Sequence, residues 1–194
     1  EARKVLALRN IFENIMNNFN YSFIRTPVFE STELFKRTSG ETSDVVSKEM
    51  YEFKDKKDRS LALRPEGTAS VARCFIENKL YTDLPRKFWY FEPMYRYDRP
   101  QKGRYREFYQ CDIDIIGDGE ISVVNEAEMP AVIYKTFKNL GFDNFTIYMN
   151  NRKILNGLFE SLGLKENAAD IMRIIDKFDK ICEDGVRAEL TKIE

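Results

Sequence analysis

The sequence predicts an α+β fold, a mostly antiparallel sheet flanked by helices, and three features predict it. Extended runs pair across short turns at Met50–Lys54 with Ser60–Leu63, and at Lys87–Arg96 with Arg106–Ile116, which makes two hairpins. Apolar residues return at helical spacing in separate stretches, over residues 1–18, 68–78 and 120–141. With 43% hydrophobic and 32% charged residues the chain has the make-up of a soluble globular protein, and 15 Phe with 10 Tyr can fill a sizeable core.

At 194 residues there is room for one domain, or one and the beginning of a second. A net charge of −1 argues against nucleic-acid binding by bulk charge, so any RNA contact has to be local. No apolar run approaches a membrane span and no signal peptide is visible, so a cytoplasmic protein with no membrane association is expected. Cys74, Cys111 and Cys182 are widely spaced and odd in number, which suits reduced thiols and not a disulfide frame or zinc site. Histidine is absent, which removes His-based triads and His-rich metal sites from consideration.

Taken in order, residues 1–18 form a helix with Val5, Leu8, Phe12, Ile15 and Met16 at helical spacing. It opens on charged residues without a capping side chain, as a chain cut from something longer would. Tyr21–Val28 is a short strand closed by Pro27, Ser31–Arg37 a helical turn or two capped by Ser31 or Thr32, and Thr38–Lys48 a small, polar loop. A helix from Thr68 to about Asn78 turns Val71, Ala72, Phe75 and Ile76 inward. Residues 120–141 make a long amphipathic helix that Pro130 should kink or break. Phe145–Met149 should add a strand to the same sheet, and helices at 151–162 and 165–178 are split by Gly163.

The central hairpin carries the chemistry. In an extended second arm Phe108, Gln110, Asp112 and Asp114 share one face, while Tyr109, Cys111, Ile113 and Ile115 share the other. On the first arm Tyr90, Glu92, Met94 and Arg96 lie together, with Trp89, Phe91 and Tyr95 behind. One dry face and one ordered polar face would make the floor of a polar small-molecule site. The connecting loop is basic: Arg96, Arg99, Lys102, Arg104 and Arg106 stand against Asp98 and Glu107. Alone, such a loop is as readily a solvated surface. Beside a ring that can stack a base and a carboxyl–amide array, its guanidinium groups point to a nucleoside triphosphate. At Leu63–Ala69, LRPEGTA, Glu66 and Thr68 stand at a helix start. A carboxylate there caps the helix, and a carboxylate with a hydroxyl also suits an ammonium group.

The series FEPMYRYDRPQKGRYREFYQ, Phe91–Gln110, resembles motif 2 of the class II aminoacyl-tRNA synthetases, and in this wording the histidyl-tRNA synthetases among them. YSFIRTPVFESTELFKRTSG, Tyr21–Gly40, resembles motif 1, the family's dimer interface, although an ordinary helix–strand packing unit suits the local pattern equally. LRPEGTA resembles the family's amino-acid-binding element. Residues 151–194 resemble the start of its helical insertion domain, which leaves 1–150 as the catalytic core with motifs 1 and 2.

The resemblance implies an incomplete class II catalytic core that activates L-histidine with ATP and Mg2+ and charges tRNA(His), as a homodimer. Residue by residue, it implies Arg96 on the α-phosphate as the catalytic group, Arg104 on the γ-phosphate and Phe108 stacked on adenine. It places Glu66, Gly67, Thr68 and Gln110 around the α-ammonium, and Asp114 on an imidazole N–H. Many family members carry Glu at that last position, so the reach here is shorter. The family's third motif, its histidine-specific segment and its anticodon-binding domain are not found in this sequence, so an N-terminal fragment is expected. Two other classes fit parts of the pattern: a non-catalytic paralogue such as the regulatory subunit of ATP phosphoribosyltransferase, and a pure RNA-binding module. The basic loop together with LRPEGTA favours the enzyme over the first, and the balanced charge speaks against the second.

Overall fold

The computed structural model describes residues 1–39, 49–119 and 122–193. Most of the loop predicted at Thr38–Lys48, and the first residues of the helix predicted from 120, lie outside them. The chain divides into two compact units, Glu1–Phe145 and Thr146–Glu194.

The first unit is built on two three-stranded sheets. In one, β5 (Arg86–Tyr95) and β6 (Glu107–Ile116) run antiparallel in register from Arg86↔Ile116 to Tyr95↔Glu107, and β1 (Ser22–Phe23) lies parallel to β5. In the other, β4 (Ser60–Leu63) pairs antiparallel with both β2 (Phe29–Ser31) and β3 (Glu52–Lys54). Both predicted hairpins therefore form. The strand predicted over Tyr21–Val28 forms only at Ser22–Phe23; β2 begins past its end, in the other sheet, and Pro27, which lacks an N–H for a ladder, lies between the two.

The dry face of the central hairpin forms as the alternation requires except at Tyr109, which is half exposed. Trp89 and Phe91, with Cys111, Ile113 and Ile115, pack against Phe12, Ile15 and Met16 of α1 (Ala2–Asn18) and Val132 of α4 (Val123–Asn139). The opposite face departs from expectation: it is polar only in part. Phe88, Tyr90 and Met94 are buried there with Val71 and Phe75 of α3 (Thr68–Glu77), so helices cover both sides of this sheet. Lengths explain the division. Ten residues of strand reach about 33 Å and ten of helix about 15 Å, so α3 roofs less than half of the face and leaves the rest for a site.

One charged residue joins the two sheets. Arg64, just past β4, is fully buried. Its N–H donates to Val28 O and its carbonyl accepts from Tyr95 N, both at 3.0 Å. The guanidinium donates to Pro93 O through Nε (2.9 Å), to Thr26 O through Nη1 (2.9 Å) and to Glu92 Oε2 through Nη2 (2.5 Å). The planar fork thus satisfies two loop and strand carbonyls and one buried carboxylate at once.

Further departures have local causes. Ser122 caps α4, its hydroxyl accepting from Asn125 N, and the helix runs through Pro130 without the expected break. A proline removes a single donor, and Val132, two residues on, is held in the core. Phe145–Met149 forms no strand and leaves Tyr148 and Met149 exposed, since no strand among the described residues pairs with it. In the second unit, α5 (Arg152–Ser161) closes on Gly163 at φ +72°, with Leu164 N bonded to Phe159 O at 2.8 Å. The helix predicted over 165–178 is shorter, α6 (Ala168–Ile175), and is followed by α7 (Phe178–Leu190), which is interrupted at Cys182. Phe159, Ile171, Ile174 and Val186 are this unit's buried apolar residues. No helix among the described residues is long and apolar enough to cross a membrane.

Candidate active site

Strand β6 and the start of α3 bring most of the predicted site residues together. Glu66 lies just before α3, and its carboxylate accepts from Thr68 N (2.7 Å) and Ala69 N (3.0 Å), which is the capping role foreseen for it. Burial nonetheless raises its pKa above the ordinary carboxylate value, against the pull of those two N–H groups; Asp112 adds to the rise and Arg96 opposes it. A carboxylate held at a helix start, half out of water and near other acids, is short of positive charge.

Asp114 is in the same position more acutely. Burial pushes its pKa up to about 6, with Thr68 acting in the other direction and Asp112 and Glu66 adding to the rise. Its Oδ2 is buried with no partner among the described residues, and so is Gln110 Oε1. The Gln110 amide nitrogen donates to Asp112 Oδ2 (3.1 Å), which also accepts from Tyr90 OH (3.1 Å). The floor therefore presents acceptors that no protein donor among the described residues meets, and that a ligand's donors can meet.

The Asp114 shift has a consequence for stability. The folded chain holds this proton more tightly than the unfolded chain does, so ionising Asp114 works against the fold. The penalty is absent below the ordinary carboxylate range near ~3.9, grows as the pH rises to about 6 and is complete above it. Asp114→Asn should therefore raise the melting temperature more at pH 8 than at pH 4. An equal effect at both would mean that the carboxyl is solvated.

Gly67 lies under the Tyr90 ring: a Cβ at this position would sit 2.4 Å from the ring and 2.5 Å from the hydroxyl. The glycine is required by this close approach and not by its backbone angles, as its φ is −104°. Gly67→Ala should cost about 1–3 kcal/mol in urea unfolding, the usual range for overpacking. A change below a few tenths would show that Tyr90 can swing aside.

The basic loop supplies a second region. Arg96 follows β5, donates through Nε to Pro65 O (2.8 Å) and lies over the Phe108 ring at 5.2 Å. Arg96 and Phe108 line a cleft of about 470 Å³ with Glu49, Asp98, Arg104 and Tyr109. Arg104 is exposed and paired with Asp98 at 3.2 Å, so it borders this cleft and contacts none of the carboxylate group. Arg96, through its effect on Glu66, links the two regions.

Three residues of the site were not singled out from the sequence. Alternation had placed Tyr90 and Asp112 on the face of Gln110, but their pairing across the hairpin is visible only in the register Tyr90↔Asp112. Arg64 gave no signal, because an arginine at a strand end is ordinarily solvated.

A hairpin with a basic loop, an arginine over a phenyl ring at a cleft, and an acid-rich floor at a helix start together have the layout of a class II aminoacyl-tRNA synthetase catalytic core, in part. The histidyl-tRNA synthetase family profile matches residues 1–180. The chain belongs to the histidyl-tRNA synthetase family. It is 42% identical over 187 residues, 96% of its length, to a histidine–tRNA ligase of Clostridium tetani, and spans 41% of that protein. Against the histidine–tRNA ligase of Mycoplasma mycoides subsp. mycoides SC it is 53% identical over 148 residues, 73% of this chain and 36% of the other. Its fold superposes on the crystal structure of histidyl-tRNA synthetase from Nostoc sp. PCC 7120 with a TM-score of 0.82 and 28% identity, covering 99% of this chain and 42% of that one. The chain thus spans about two-fifths of the length of the relatives it matches.

Proposed function

We propose that this chain carries the ligand-binding part of an enzyme that activates L-histidine with ATP and passes the histidyl group to tRNA(His). The observation that carries the reading is the pair of buried, unpartnered acceptors, Gln110 Oε1 and Asp114 Oδ2, beside Glu66. An amino acid bearing an α-ammonium and an imidazole N–H has the donors they lack. The ammonium goes to Glu66, Thr68 and Gln110, and the imidazole N–H to Asp114, with Gly67 keeping the backbone close beneath Tyr90.

In the reaction, a carboxylate oxygen of histidine bonds to the α-phosphorus of ATP as the bond to pyrophosphate breaks. This gives the mixed anhydride, and pyrophosphate leaves. The protein's part is to position the two partners and take up charge. Arg96 faces the α-phosphate and Arg104 the γ-phosphate. Phe108, which lies beside Arg96 in the cleft, takes adenine. Mg2+, which the family resemblance implies, would accompany the phosphates and neutralise part of their charge.

The same reading makes residues 1–150 the catalytic core and 151–194 the start of a helical insertion, in a cytoplasmic protein. It also makes the first helix and the strand after it the interface of a homodimer, where Leu6 and Phe23 are exposed. Sedimentation should then give a dimer; a monomer at high concentration would count against the interface. The reading as a whole is tested by calorimetry on this chain. ATP and L-histidine should each bind, and Asp114→Asn should weaken histidine while leaving ATP nearly untouched. Equal loss of both ligands would make Asp114 structural, and failure of either ligand to bind would sink the reading.

A further inference from the structure

Asp112 has no role in the scheme above, yet it is the best-connected acid of the floor. We infer that Asp112 is a positioning residue that holds the Gln110 amide with its nitrogen turned inward and its oxygen toward the ligand, and so sets the site's preference for a substrate with an α-ammonium group. The inference rests on the proposed histidine-binding reading.

The geometry leaves the amide little choice. Gln110 and Asp112 are two residues apart on β6 and so share a face. Asp112 Oδ2 accepts from Gln110 Nε2 and Tyr90 OH, each at 3.1 Å, and Oδ1 accepts from Ile113 N at 2.9 Å. Tyr90 is 2% exposed and wedged over Gly67, so this acceptor is fixed from both strands. An ionised carboxylate accepts and does not donate. Turning the amide over would set oxygen against oxygen, so Nε2 stays on Asp112. Gln110 Oε1 is thereby left facing away, buried and without a partner among the described residues. An amide oxygen accepts from an ammonium and an amide nitrogen repels it, so the orientation decides whether Gln110 helps or hinders the substrate. The other acids near Asp112, Glu66 and Asp114, cannot replace it, since neither bonds to the amide among the described contacts.

The test uses two ligands that differ only in the α-amino group, L-histidine and imidazole-4-propionate, titrated into this chain by calorimetry. The unsubstituted chain should prefer histidine. Asp112→Asn is isosteric but can turn either a donor or an acceptor to Gln110, so it no longer dictates the orientation. It should weaken histidine roughly tenfold or more, the worth of one hydrogen bond to a charged group, and leave the propionate unchanged. In a Gln110→Ala background the same substitution should add nothing. Should Asp112→Asn fail to fold, Asp112→Ser, which also both donates and accepts, is read in the same way. Equal loss of both ligands, loss that persists without Gln110, or no loss would each overturn the inference. If the unsubstituted chain itself shows no preference for histidine, the histidine reading falls first and takes the inference with it.

Discussion

Arg64→Met is expected to destabilise the first unit by about 3–5 kcal/mol, the usual cost of leaving a buried charge without its partner. For a unit of this size that corresponds to a loss of roughly 6–20 °C in melting temperature. Four acceptors lose their donor together: Glu92 Oε2, Thr26 O, Thr26 Oγ1 and Pro93 O, all gathered around a guanidinium with no solvent exposure. Arg64→Lys should fall between, since an ammonium keeps the charge but cannot reach three acceptors in one plane. Replacing both charges, Arg64→Met with Glu92→Leu, should restore part of the loss, because no unpaired carboxylate is then left behind. A drop of only a degree or two in Arg64→Met would mean that Arg25, whose Nε lies 3.9 Å from Glu92 Oε1, or water takes over the carboxylate. The effect should extend to ligands as well, because Arg64 anchors the turn into Pro65 and Glu66.

How much of this was legible in the sequence depends on how far apart the interacting residues lie along the chain. Alternation on β6 sorted Cys111, Ile113 and Ile115 into the core and Phe108, Gln110, Asp112 and Asp114 onto the opposite face, and the packing follows that division. A period of two is a local property and survives folding. That Tyr90 and Met94 would be roofed by Val71 and Phe75 was not legible, because it depends on where α3 returns to the sheet. The same holds for Phe145–Met149: its composition suits a strand, but a strand exists only with a partner. Pro130 breaks no helix, a breaker by local rule that sits inside α4 two residues before the buried Val132. In the candidate site the face shared by Gln110, Asp112 and Asp114 was legible, and the hydrogen bond of Asp112 to the Gln110 amide was not. Asp112 reads on paper as one more acid of a polar face, and only the two hydrogen bonds that meet on its Oδ2 distinguish it.

Arg96→Ala is expected to slow histidine-dependent ATP–pyrophosphate exchange about 10²–10³-fold, or about 2.7–4 kcal/mol, in a protein carrying this chain at the length of its relatives. The magnitude follows from what the side chain is free to do. Its Nε is engaged with Pro65 O at 2.8 Å and its Cζ lies 5.2 Å from the Phe108 ring centroid, which restrains the guanidinium before any ligand arrives. Its Nη groups have no partner among the described residues, so they can face the phosphate whose charge changes in the reaction. Groups preorganised in this way do not have to be reoriented at the moment of bond exchange, which is where electrostatic stabilisation is gained. The structural share of the loss should be small, since one hydrogen bond to a carbonyl is worth about 1 kcal/mol. A modest shift in melting temperature beside a large loss in rate would separate the two roles. The pattern of constants decides the rest. If Arg96 acts on the transition state, kcat and kcat/KM for ATP fall together. A rise in KM alone would mean that it binds the nucleotide equally well before and during reaction, and an unchanged exchange rate would remove it from the chemistry altogether.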